Sequence, residues 1–201
     1  MTLCDIAIIG GGIAGTTAAL RAREIGASVV MLERGQEIGG ACNIRLSAGV
    51  FHLALGPMDL EPEAMLSRIN DVTNGEIDAS LARMVANNSK PSIEWLTSQG
   101  VQFSSAGGAH GKFTVHPRGP SSPGRKFNPE ASPDILMRNL HFRIVQQGGT
   151  IFYGARANSL TLSDDGKHWV IETSSSNSTD LKILATTIII ADGGFQANTI
   201  G

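Results

Sequence analysis

The sequence predicts an α/β domain with a central parallel sheet, a β-meander and flanking helices. Three observations carry this expectation. An apolar strand over residues 3–9 runs into Gly10-Gly11-Gly12-Ile13-Ala14-Gly15 and then a helix, Thr16 to Ile25. A second strand, Ser28–Leu32, ends at Glu33. A continuous β-branched apolar run, Thr186–Ala191, ends at Asp192-Gly193-Gly194 and reads as a buried parallel strand. Strand, Gly-x-Gly-x-x-Gly, helix, strand and terminal acid form the pattern of a turn that holds a dinucleotide pyrophosphate. Gly10 permits the tight turn, Gly12 lets a phosphate approach the backbone, and Gly15 lets the helix pack close to the strand. The helix N-terminus offers N–H groups and a positive dipole end. Glu33 is placed to accept hydrogen bonds from ribose hydroxyls.

The remaining elements follow in order. Residues 34–50 form a second glycine-rich loop. Residues 61–73, 76–88 and 91–99 read as three short amphipathic helices. Leu81, Met84 and Val85, then Ile93, Trp95 and Leu96, supply the apolar faces, and Gly100 is the C-terminal cap. Glu61 and Glu63 belong to a first helical turn. Val101–Phe103 and Phe113–Val115 read as short strands among the breakers of 101–130. Ser132-Pro133-Asp134 opens a helix to Gln147, with Ser132 as cap and Pro133 in the first helical position. Thr150–Tyr153 is a strand. Ala155–Leu162, His168–Thr173 and Leu181–Leu184 form the meander, its first turn at Asp164-Asp165-Gly166.

Bulk properties exclude several classes. The 201 residues carry a net charge of −2, so nothing marks a nucleic-acid binder. The small basic group Arg118, Arg125 and Lys126 reads as a solvated loop. No apolar run approaches a membrane span, and no basic leader precedes the first strand. Two cysteines, Cys4 and Cys42, imply no disulfide framework and point to a reducing, cytoplasmic setting. Cys42 reads as an ordinary thiol and His52 as a structural histidine. His110 and His116 lack metal-ligand spacing, so no metal site is expected.

The fingerprint alone leaves the cofactor open, but a second glycine loop directly after Glu33 suggests a long ligand lying along the sheet. On Gly10–Gly15, Glu33-Arg34, Gly39-Gly40-Ala41, Ser47-Ala48-Gly49, the segment 132–153, Arg156-Ala157 and Ile188–Phe195, the chain resembles the FAD-binding domain of the fumarate reductase and succinate dehydrogenase flavoproteins. Tricarballylate dehydrogenase-like and ketosteroid dehydrogenase-like proteins belong to the same group. The resemblance covers essentially the whole chain. It implies an FAD/NAD(P)-binding Rossmann-like domain over 1–201, with 51–130 as a helical and irregular insertion and the family's cap domain absent.

By position, the resemblance assigns Gly10, Gly12, Ile13, Ala14 and Gly15 to the pyrophosphate, Glu33 and Arg34 to the adenosine ribose region, and Gly39, Gly40 and Ala41 to the phosphates and ribityl chain. Ser47, Ala48 and Gly49 would offer N–H groups to the isoalloxazine ring. Ala157 would meet the adenine, while Ala191, Gly193 and Gly194 would close the channel. Asp192 stands where threonine is common. Asn43 lies about where some members carry the histidine that links covalently to FAD, so non-covalent FAD is expected.

The implied reaction is hydride transfer between flavin N5 and a substrate carbon, dehydrogenating or reducing a C–C bond of an organic acid or ketosteroid-like compound. An electron-transfer partner is implied as well. Catalytic residues are expected beyond Gly201, which makes the chain a truncation that binds FAD weakly or not at all by itself. The alternatives are an NAD(P)-dependent Rossmann dehydrogenase and a catalytically inactive flavin-binding module.

Overall fold

A computed structural model of the chain describes residues 1–47, 49–51, 53–54, 56–104, 114–115, 130–175 and 181–194. Ala48, His52, His110, His116, Arg118, Arg125, Lys126 and Phe195 lie outside the described residues. The chain divides into two units, Met1–Leu46 with Asp134–Gly201, and Ser47–Pro133.

The first unit is built on a six-stranded mixed sheet. Its strands are β1 (Thr2–Ile9), β2 (Val29–Glu33), β5 (Thr150–Tyr153), β6 (Ala155–Leu162), β7 (Trp169–Ser175) and β8 (Lys182–Ile190). Their spatial order is β5-β2-β1-β8-β7-β6. β5, β2, β1 and β8 run parallel, while β7 pairs antiparallel with both β8 and β6. β2 is buried at all five positions, as expected of an apolar strand flanked on both sides. Cys4, Ala7, Val30, Leu32, Ala155, Ile171, Ile183 and Ala185 form one core cluster. Helix α1 (Ile13–Glu24) packs against β1 and β2. It starts at Ile13, earlier than the expected Thr16, so that Gly15 lies inside its first turn.

Several sequence expectations change. Leu181–Leu184 and Thr186–Ala191 are one strand, β8. Its first half pairs with β7 on one side while its length pairs with β1 on the other. The meander is therefore continuous with the parallel sheet. The run Thr186–Ala191 is also not buried as expected: Thr186, Thr187 and Ile190 are exposed and Ile188, Ile189 and Ala191 half-buried, and the enclosed positions of β8, Ile183 and Ala185, lie before it. Helix α4 spans Ser132–Gln146, which puts Ser132 inside the first turn instead of at the cap. It ends in a Schellman motif, with Gly148 and Gly149 donating to Val145 and Ile144.

The second unit contains α2 (Pro62–Thr73), α3 (Ala79–Ser98) and the short antiparallel pair β3 (Phe103–Ser104) and β4 (Thr114–Val115). Met65 and Ile69 of α2 meet Ala82 and Ala86 of α3 in its core. Glu61 is the N-cap of α2 and Glu63 lies in its first turn. Asp78 caps α3, its Oδ1 accepting the Leu81 N–H at 2.8 Å.

Helix α3 runs unbroken through Pro91, where the sequence predicts a break between two helices. The buried stripe Ala82, Ala86, Ser89, Ile93, Leu96 steps by four, three, four and three residues. That spacing keeps one helical face inward across the proline and overrides its local preference. Leu81 and Met84, read as core, are 49% and 55% exposed because the small Ala82 and Ala86 take the inner face instead. Trp95 is half-buried. Gly100 caps the helix at φ +84°, with Val101 donating to Leu96.

Pro91 is exposed and deprives one turn of its N–H donor. Pro91→Ala is therefore expected to stabilise the protein by about 2 kcal/mol, the helix gain less the loss of proline's unfolded-state restriction. The urea-unfolding midpoint measures this. A break at Pro91 would give a loss instead.

Candidate cofactor site

The site is built around the end of β2. Glu33 is 4% exposed, and its carboxylate accepts three backbone N–H groups. Oε2 takes Gly11 at 2.8 Å, while Oε1 takes Gly35 at 2.6 Å and Ala41 at 3.0 Å. These donors come from the β1–α1 turn, the residue pair after β2 and the second glycine loop. A buried carboxylate is costly unless its oxygens are filled, and charge-assisted bonds of this kind are the stronger sort.

The glycines divide by what a side chain would strike. A Cβ at Gly11 would lie 2.8 Å from Glu33 Oε2, and one at Gly40 would lie 2.8 Å from Glu33 Cδ. At Gly35 it would meet the Ala41 nitrogen at 2.6 Å. These three glycines make room for the carboxylate. A Cβ at Gly15 would overlap the Gly10 carbonyl oxygen, and one at Gly10 would overlap that of Ala191. Those two allow the strand, the helix and the chain after β8 to meet. Gly12 differs. Its Cβ would touch only Cys42 Cβ, at 3.5 Å, and at Gly193 nothing lies within 4 Å.

Gly12 is also the N-cap of α1 and provides no side-chain cap. Ile13 and Ala14 form the first turn, Ala14 exposed. The turn's N–H groups have no intrahelical partner, and such an end binds anions. A diphosphate fits here: the backbone is bare at Gly12, the helix end is uncapped, and the chain at Ala191–Gly193 passes beside Gly10 with Gly193 open.

The second loop is held from within. The Gly39 N–H donates to His141 Nδ1 at 3.2 Å, the Gly40 N–H to the Glu37 carbonyl at 3.0 Å, and the Ala41 N–H to Glu33. Arg45, 3% exposed in a 3-10 turn at Asn43–Leu46, donates to the Gly40 carbonyl and to the buried Asp134 carboxylate of α4. The turn was not foreseen in the sequence. Cys42 Sγ lies 3.5 Å from the Gly39 carbonyl, and burial pushes its thiol pKa up, as fits an unreactive thiol.

Of the other expected site residues, Arg34 and Asp192 are exposed. Ala157 is half-buried on β6 at a break in register with β7, between Ala157 and Ser159. Such a bulge frees backbone groups from the ladder. Ser47 and Gly49 belong to the second unit. There the Gly49 N–H donates to Ser47 Oγ at 3.1 Å and its carbonyl accepts Val115, so Gly49's own donor is taken. Among the described residues, no group of three His, Cys, Asp or Glu could hold a metal, and no helix is long and apolar enough to cross a membrane.

His141 escaped the sequence reading. It is fully buried on α4 with Met137, Leu140 and Ile144. A histidine on the helical stripe of those three apolar residues was the available signal.

A helix end open beside Gly12, an acid at the end of the second strand and a mixed sheet of this order are the features of a dinucleotide-binding domain. A family model described as FAD binding domain matches residues 5–200, and the chain belongs to that family. A fumarate reductase (cytochrome) of Shewanella frigidimarina is 25% identical over 207 residues, covering 96% of this chain and 34% of that protein. A 3-oxo-5-alpha-steroid 4-dehydrogenase of Comamonas testosteroni is 35% identical over 108 residues, covering 50% of this chain and 20% of that one. Among solved structures, a 3-ketosteroid-delta4-(5alpha)-dehydrogenase from Rhodococcus jostii RHA1 superposes with a TM-score of 0.74 at 21% identity, over 96% of this chain and 46% of that one. The open form of a flavocytochrome c3 fumarate reductase gives 0.71 at 22%, over 96% and 34%. These superpositions establish a shared fold. The chain spans about a third of the length of the fumarate reductase relative.

Glu33→Gln replaces one acceptor oxygen with an NH2 facing a backbone N–H. It is expected to cost about 2–3 kcal/mol, read as a lower urea-unfolding midpoint.

Proposed function

We propose that this chain holds FAD non-covalently and that the whole protein is an oxidoreductase acting on a C–C bond of a small organic acid or ketosteroid-like substrate. The observation that carries the reading is the uncapped α1 N-terminus at Gly12, set beside a carboxylate that fixes the surrounding loops. The family match supports FAD over a nicotinamide cofactor. The curated relatives, which act on fumarate and on a steroid by name, support the substrate class.

In this reading Gly12, Ile13 and Ala14 donate N–H groups to the pyrophosphate, while Gly10 and Gly15 set the turn. Glu33 uses three of its roughly four acceptor sites internally and turns the remaining one to a ribose hydroxyl, with Arg34 at the rim. Gly39, Gly40 and Ala41 act through their internal bonds, as the wall that keeps Glu33 in place. Ala157 meets the adenine by its backbone at the bulge, and Ala191 and Gly193 line the path. The assignment of Ser47, Ala48 and Gly49 to the ring rests on sequence resemblance. Residues 1–201 then form one FAD-binding domain, with 51–130 as its insertion. FAD, when bound, supplies a ring N5 that exchanges hydride with a substrate carbon. Electrons pass to or from a separate partner. Free Cys4 and Cys42 fit a cytoplasmic setting.

Gly12→Val tests the site, because a Cβ there would meet only Cys42 Cβ, at an ordinary contact distance of 3.5 Å. The expected result for the gene-encoded protein is at least a hundredfold loss of FAD affinity with unchanged circular dichroism. Saturable NAD binding without FAD binding in the parent protein would overturn the reading. Acid precipitation of the holoprotein is expected to leave all the yellow colour in the supernatant, and a yellow pellet would mean a covalent link.

A further inference from the structure

His141 contacts both glycine loops at once. Nε2 lies 2.8 Å from the Gly11 carbonyl oxygen, inside the fingerprint. Nδ1 lies 3.2 Å from the Gly39 nitrogen, at the start of the second loop, and 2.9 Å from the Tyr153 hydroxyl on β5. A carbonyl can only accept and an amide N–H can only donate. The two partners therefore fix the tautomer: Nε2 carries the proton, and Nδ1 is the bare acceptor, shared by Gly39 and Tyr153. An apolar residue would fill the same space beside Met137 and Ile144, yet the position carries a polar ring whose nitrogens are spent on the two loops.

We propose that His141 is a positioning residue for FAD, tying the pyrophosphate turn at Gly11 to the second loop at Gly39 as a neutral imidazole. This rests on the FAD reading above. An imidazolium would direct an N–H at the Gly39 N–H and break the tie. The groups facing the ring from the packed elements are Glu33 from β2, Arg45 from the 3-10 turn and Tyr153 from β5. Burial lowers the His141 pKa below the ordinary histidine range; the Gly11 carbonyl and the Glu33 charge oppose this and Arg45 assists it. Burial also raises Tyr153 to about 12, keeping its hydroxyl a donor. The sign follows from linkage. The unfolded state binds the proton more readily, so the tie is fully present above about pH 6.5, the free histidine value, and is lost as pH falls through the lowered folded value.

The test compares the gene-encoded protein with its H141F and H141Q variants. Dissociation constants for FAD are measured by flavin fluorescence from pH 8 to pH 5, together with ¹⁵N-imidazole NMR. The parent protein should bind with constant affinity from pH 8 to about 6.5 and weaken only as the pH falls below the ordinary histidine range. H141F, similar in volume, should bind about tenfold more weakly at pH 8 and lose that pH dependence. H141Q keeps a donor for Gly11 and should recover part of the affinity with a flat profile. NMR should show a neutral Nε2–H ring at pH 7, absent from H141F. Parent-like affinity and pH dependence in H141F, or an Nδ1–H ring at pH 7, would overturn the proposal. Failure of the parent protein to bind FAD at pH 8 would instead strike the function reading beneath it.

Discussion

The arrangement of the two glycine loops depends on one buried carboxylate. Glu33 gathers backbone N–H groups from the turn after β1 and from two points of the loop that follows β2, and it can do so only because residues 11, 35 and 40 have no side chain. Its position is set by β2, held between β1 and β5, so the sheet aims the carboxylate and the carboxylate shapes the turns. A helix end presents donors wherever a helix starts. What sets this one apart is that the turn before it cannot move without unpairing a buried charge, at a cost of several kcal/mol.

A second layer supports the first from α4. Asp134 and His141, both fully buried on that helix, reach the second loop by different routes, one through Arg45 to the Gly40 carbonyl and the other directly to the Gly39 N–H. A buried ion pair is weak evidence for stability but a familiar means of fixing one arrangement among several. Here it fixes a glycine-rich loop, the kind of segment with the most conformations to lose.

Much of this was legible in the chain. The strand–glycine–helix–strand pattern located the turn and Glu33, because spacing along regular elements is what periodicity encodes. It did not reveal what each glycine faces. Gly10, Gly11 and Gly12 are consecutive and look equivalent, yet one meets Ala191, one meets Glu33 and one is open. That difference arises from residues 20 to 180 positions away. Pro91 misled for a related reason: a local breaker was outweighed by a buried stripe passing through it. The two halves of β8 were read as separate strands because their neighbours differ, antiparallel on one side and parallel on the other, and a single chain does not display its neighbours. His141 was hidden by chemistry, being a titratable residue at an apolar-periodic position.

The placement of β8 between β1 and β7 also bears on how the protein is made. Thr2 pairs with Ile183 and Ile9 with Ile190, so β1 is synthesised long before the strand that pairs with its far edge. Loop closure over such a separation is slow compared with helix or hairpin formation. Until it happens β1 has an open edge of unpaired backbone carrying Ile6, Ala7, Ile8 and Ile9, a template for pairing with other chains. During synthesis at about 5–20 residues per second, that edge stays open for on the order of ten seconds or more. The strand that leads into the fingerprint is thus also the segment most in need of protection by a chaperone while the rest of the sheet is being made.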